Sequence, residues 1–65
     1  MEPKEIGKRL QELRGKRNQD EVAFACGISP AAVGMYERGE RVPRDEIKIR
    51  LARYFGVSVE DLFYA

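Results

Sequence analysis

The residues of this chain best suited to chemistry are five cations, Lys16 and Arg17 early and Arg38, Arg41 and Arg44 later, and the chemistry they suit is the pairing of anions. They sit in an uneven charge distribution. Residues 1–17 hold six basic side chains against three acidic, residues 18–37 hold Asp20, Glu21 and Glu37 with no Lys or Arg, and residues 38–53 again hold six basic against three acidic. Two basic segments thus flank an acidic middle, although the net charge is only +1. Phosphates on either side of a central element would suit such flanks. Catalysis is not expected. Histidine is absent and Cys26 is the one cysteine, which excludes a Cys/His zinc site, an intramolecular disulfide and a histidine-activated nucleophile. There is no glycine-rich phosphate loop, and the paired acids Asp45 and Glu46 are explained by a helix start. No cofactor, metal or small-molecule ligand is expected.

Any such site must be held by a small scaffold. Sixty-five residues make one domain, expected over 1–65, and a chain this short buries only about 60% of the surface it exposes when unfolded. With 43% apolar and 35% charged residues it reads as a globular domain, neither a disordered tail nor a lipid-embedded segment. No apolar run approaches the roughly 20 residues that span a bilayer, and Met1-Glu2-Pro3-Lys4-Glu5 does not resemble a secretory signal. A cytoplasmic protein without a membrane partner is the expectation.

The breakers Gly15, Gly27, Gly39, Pro43 and Gly56 divide the chain into five short pieces. Ile6, Leu10 and Leu13 form one stripe on a helix from about Pro3 to Arg14, with Pro3 in the first turn. A second helix from Asn18 to Cys26 starts at a capping residue followed by Asp20 and Glu21, turns Val22, Ala23 and Cys26 inward, and ends at Gly27. Ser29-Pro30 is a strong start for a third, running to about Arg38 with Val33 and Tyr36 or Glu37 inside. Pro43 and Arg44 open a fourth, with Ile47, Leu51, Tyr54 and Phe55 inside. Ser58 to Asp61 reads as a capping box for a fifth, carrying Val59, Leu62 and Phe63. No segment alternates as a strand does, so the expected class is all-α.

Two short helices joined by Gly27-Ile28-Ser29 present the second helix outward, able to enter a major groove while the first crosses the phosphate backbone. At these residues the sequence resembles the Xre family of phage and bacterial repressors. The resemblance is carried by Gln19-Asp20-Glu21-Val22-Ala23, Gly27-Ile28-Ser29, and Tyr36-Glu37-Arg38-Gly39 followed by Arg41 and Pro43. Leu51-Ala52 and the run Phe55-Gly56-Val57-Ser58-Val59-Glu60-Asp61-Leu62-Phe63 continue it, so that it spans nearly the whole chain. It implies a five-helix lambda-repressor-like bundle, with the helix-turn-helix at about 19–38, that binds a double-stranded DNA operator as a homodimer and represses transcription.

By the same resemblance Gln19 would donate to a phosphate, and Pro30, Ala31, Ala32, Gly34 and Met35 would face the bases. Arg38 and Arg41 would follow the DNA backbone, and Arg14 with Glu37 would form a buried ion pair. Lys16, Arg17 and Arg44 supply further phosphate partners, and Asn18 and Ser29, at the starts of the two helices, complete the expected DNA-contacting set.

Two departures stand out. The connection between the first two helices, Arg14 to Gln19, is about two residues shorter than the common one, so either the first helix ends earlier or the turn is tighter. The base-facing positions hold no side chain able to contact a base edge in bidentate fashion, which leaves thymine methyls for Ala31, Ala32 and Met35 and backbone approach at Gly34. A protein-interaction module of antitoxin-like type is therefore the alternative reading. Phe24, on a helix whose inner face is already filled, is expected to be partly buried against the short first turn or else to touch a partner. Of the C-terminal apolar cluster, Leu62, Phe63 and Tyr64 are the expected dimer surface.

Overall fold

A computed structural model describes residues 1–65 and shows five α-helices: α1 Pro3–Arg14, α2 Gln19–Cys26, α3 Pro30–Glu37, α4 Asp45–Phe55 and α5 Val59–Phe63. The chain is all-helical, as its patterning predicts. Ser29 and Asn18 cap α3 and α2 through their side-chain oxygens, which accept from Ala32 N–H at 3.0 Å and Glu21 N–H at 2.8 Å. Ser58 Oγ likewise accepts from Asp61 N–H at 3.0 Å. The return bond of a capping box is not made, because Asp61 is one methylene shorter than the usual Glu. Two boundaries differ from expectation: α3 stops at Glu37 with Arg38 as its C-cap, and α4 begins at Asp45 with Arg44 as its N-cap.

The short α1–α2 connection is accommodated by a tighter turn. α1 keeps its full length to Arg14, and Gly15 turns the chain at φ +58 with its N–H on Gln11 O at 3.0 Å. Every helix contributes to one core, through Ile6 and Leu10, Val22 and Cys26, Val33, Leu51, and Leu62 with Phe63. Cys26 is fully buried there; burial pushes its thiol pKa up, as expected of a small apolar filler.

The third helix is positioned by α1 and α2 together, and its polar anchor to α1 is Glu37. Gly7, Gln11 and Arg14 recur at i, i+4 and i+7, one row of α1, and all three meet Glu37. The absence of a side chain at Gly7 lets the two backbones touch: a Cβ there would lie 2.2 Å from Glu37 O and 2.7 Å from Tyr36 O. Gln11 Nε2 donates to Glu37 O at 3.3 Å. Arg14 grips the Glu37 carboxylate from both sides, Nε to Oε2 at 2.6 Å and Nη2 to Oε1 at 3.1 Å. The pair is the buried one the family resemblance implies, with the Glu37 side chain 3% and the Arg14 side chain 22% exposed. The hydrogen bonds to Glu37 raise the pKa of Arg14 above its ordinary value against the opposing effect of burial.

Candidate nucleic-acid interface

With α3 braced from behind by α1 and α2, its opposite face is free. Pro30 and Ala31 are exposed, Ala32 and Met35 half-buried, while Val33 and Glu37 point inward. The free face is smooth, as the side chains dictate. Arg41 and Arg44, in the segment that follows, and Lys16, in the turn before α2, are exposed and form no ion pair. They are unneutralised cations that precede and follow the helix pair in the chain. Asn18 and Ser29 are engaged by their caps through one oxygen each, which leaves the Asn18 amide N–H groups and the Ser29 O–H as donors at the two helix starts.

Gln19 is held in place and half-buried. Its Nε2 donates to Glu37 Oε1 at 2.9 Å, which uses one of two amide hydrogens and leaves the other for an anion. The ion pair that joins α1 to α3 therefore also sets the orientation of the first residue of α2.

Several expected roles change. Arg17 is not a free cation: its guanidinium lies 5.1 Å from the Tyr54 ring centroid and 5.3 Å from that of Phe55, and it donates to Leu13 O at 2.7 Å and Arg14 O at 3.3 Å. It closes the end of α1 over α4, so its charge is spent on carbonyls and ring faces. Gly34 is buried, covered by the Arg38 guanidinium with Gln19 alongside, so that no other backbone can approach it while they stay in place. Leu62 and Phe63 are each 1% exposed and belong to the core, because α5 lays its whole inner face against α1 and α4. Of the expected dimer surface only Tyr64 is accessible. Phe24 is 91% exposed, not partly buried, because the tight α1–α2 turn stays clear of the outer face of α2.

Two contributors escape sequence reasoning. Gly7 was visible only as a helix-weakening residue in the middle of α1, and its sharing a row with Arg14 was the available signal. Glu40 pairs with Arg38 across Gly39, whose φ of +74 brings the chain back on itself. Nothing in the helical periodicity marks such an i, i+2 pair.

Comparison with known proteins gives a consistent picture. The family described as helix-turn-helix matches residues 8–62. The cryptic phage CTXphi transcriptional repressor RstR of Vibrio cholerae is 34% identical over 56 residues, which is 83% of this chain and 50% of that protein. The chain thus spans half the length of that relative. An HTH-type transcriptional regulator of Archaeoglobus fulgidus is 32% identical over 85% of this chain and 80% of its own length. Among solved structures, the restriction-modification controller protein C.AhdI from Aeromonas hydrophila superposes with a TM-score of 0.84 at 32% identity, covering 94% of this chain and 96% of that one.

Proposed function

Since the chain belongs to the helix-turn-helix family of DNA-binding transcriptional regulators, we propose that it is a sequence-specific repressor that lays α3 in the major groove of an operator. Lys16, Arg41 and Arg44 would hold the phosphates on either side, with Gln19 and the starts of α2 and α3 donating to others. The observation that carries this reading is the exposure of Pro30 and Ala31 on α3 together with exposed cations, before and after the helix pair in the chain, that have no carboxylate partner. A smooth face at Ala31, Ala32 and Met35 fits closely against thymine methyls. Phosphate contacts would supply much of the affinity.

Titration of DNA at several salt concentrations tests the assignment. Arg41→Ala and Lys16→Ala should each weaken binding to all sequences alike and lower the slope of log affinity against log salt by about one unit. Arg17→Ala is the contrasting case: it should lower the melting temperature and leave the slope unchanged, because its cation faces Tyr54 and Phe55. Unchanged slopes in the first two variants would put the DNA surface elsewhere.

Two copies are proposed to bind one operator, since a single smooth helix offers little of the roughly 4–10 kcal/mol that separates specific from non-specific binding. The self-contact would use Tyr64 and the exposed Ile49, which follows in the chain the Lys48 that donates to the Tyr64 hydroxyl at 2.7 Å. Selected sites would then be palindromic, with half-site centres about 34 Å apart. A single copy on a non-palindromic site at saturation, seen by sedimentation and footprinting, would exclude the dimer. The exposed Phe24 favours a second reading, in which the outer face of α2 serves a protein contact in place of DNA. Absence of any selected motif from a random DNA pool would favour it.

A further inference from the structure

The outer face of α3 is less mute than its small side chains suggest, because a guanidinium is folded onto it from the helix end. Ala31, Met35 and Arg38 recur at i, i+4 and i+7, one outward ridge. Side chains on a helix lean toward its N-terminus, so Arg38 reaches back over the preceding turn. There its Nη1 lies 2.9 Å, and its Cζ 3.7 Å, from where a Cβ of residue 34 would stand. Only glycine leaves that place open.

Glu40 fixes the group in this position. Its carboxylate accepts from Arg38 Nε at 2.8 Å and from Nη2 at 3.3 Å, a bidentate grip on one edge of the guanidinium. Two of five N–H donors are used, and the Nη1 and Nη2 hydrogens of the opposite edge remain, parallel and unsatisfied. Both groups are exposed, at 57% and 54%, and exposed ion pairs contribute little to stability. What the pair does provide is an arginine held rigid before any ligand arrives. The mutual hydrogen bonds raise the pKa of Arg38 and lower that of Glu40, so both stay ionised through neutral pH.

A phosphate contact would not be built this way. Glu40 places a negative charge beside the cation and opposes an approaching phosphodiester, whereas the neutral edge of a base escapes that repulsion. The cations suited to phosphate, Lys16, Arg41 and Arg44, have no such carboxylate. We infer that Arg38, seated on Gly34 and buttressed by Glu40, is a base reader that takes the O6 and N7 acceptors of one guanine in each half-site. A bidentate arginine is the side chain whose free edge matches that pair of acceptors. The assignment rests on the major-groove role proposed for α3, and adds to it a polar contact that Pro30, Ala31, Ala32 and Met35 cannot make.

The test is selection from a random duplex pool by the parent and by four variants, Arg38→Ala among them, with salt titrations on the selected sites. Gly34→Ala places a methyl where the guanidinium lies, displacing the flexible end of Arg38 without touching backbone. Arg38→Lys keeps the charge and loses the fork. Glu40→Gln weakens the grip. The parent should prefer guanine at one position per half-site by about 5- to 150-fold. That preference should fall to near parity in Arg38→Lys and be reduced in Gly34→Ala and Glu40→Gln, with the other positions kept and the slopes of the two charge-conserving variants unchanged. Variants that select the parent's motif unaltered, or an Arg38→Ala whose only effect is a salt slope lower by about one, would make Arg38 a phosphate ligand and overturn the inference alone. A parent that selects no motif would overturn the proposed function itself.

Discussion

Replacing Arg14 by alanine is expected to remove a large share of the protein's stability. The Glu37 carboxylate, almost wholly shielded from solvent, would lose both guanidinium hydrogen bonds and keep only the amide of Gln19. Breaking a buried ion pair on one side costs about 3–5 kcal/mol. A domain of this size is stable by roughly 3–10 kcal/mol, so the loss takes a large share of the whole. The converse variant should be milder. In Glu37→Ala the stranded partner is Arg14, which is already partly exposed and can swing into water, and the loss should stay near the about 1–3 kcal/mol of an unsatisfied polar group. The asymmetry is the informative result: chemical denaturation of the two variants should rank Arg14→Ala as the less stable. Equal stabilities within error would mean that the carboxylate reaches solvent in solution.

Gly7→Ala is the second large effect, and intrinsic propensity assigns it the wrong sign. Alanine in a helix interior is favoured over glycine by about 1 kcal/mol. At Gly7, however, the added carbon would lie 2.2 Å from Glu37 O and 2.7 Å from Glu37 C, backbone atoms that no rotamer change can move. α1 and α3 would have to separate, loosening Gln11 and Arg14 from Glu37 at the same time. Overpacking ordinarily costs about 1–3 kcal/mol, and a backbone clash belongs at the top of that range or beyond it. The net loss should be about 2 kcal/mol or more, a fall in melting temperature of about 8–16 °C for a domain this small. Thermal melts of Gly7→Ala that rise above the parent would show that the helices do not meet at this residue.

These two sites mark where sequence reasoning succeeded and where it stopped. Caps and breakers are local, and Asn18, Ser29, Ser58, Gly27 and Gly56 located the helices nearly to the residue. The Arg14–Glu37 pair came from likeness to a family, since neither charge announces its burial. Gly7 failed to register because its effect depends on what the opposite helix places there, and a one-dimensional pattern carries no such term. Surface assignments suffered in the same way. Arg17 reads as one more cation until Tyr54 and Phe55, far along the chain, are found beneath it. Leu62 and Phe63 were expected at a dimer surface because the depth of the α5 seat cannot be counted from residue types. The outward placing of Pro30, Ala31 and Met35 on α3 was legible in the sequence, while the guanidinium that covers Gly34 was not, being held there by a carboxylate beyond the helix end.

The division of α3 into an anchored side and a free side has an evolutionary reading. Val33 and Glu37 are held by the rest of the fold, whereas Pro30, Ala31 and Met35 make no side-chain hydrogen bond and support no neighbouring helix. Substitutions far from buried networks usually leave stability almost unchanged. Exchange of these outward residues should therefore leave the scaffold intact, and under the proposed function it would change the operator that is bound. A smooth outward face is, in that light, an unwritten page: the address it is proposed to read would be open to revision at a few positions, and the architecture that carries it need not take part.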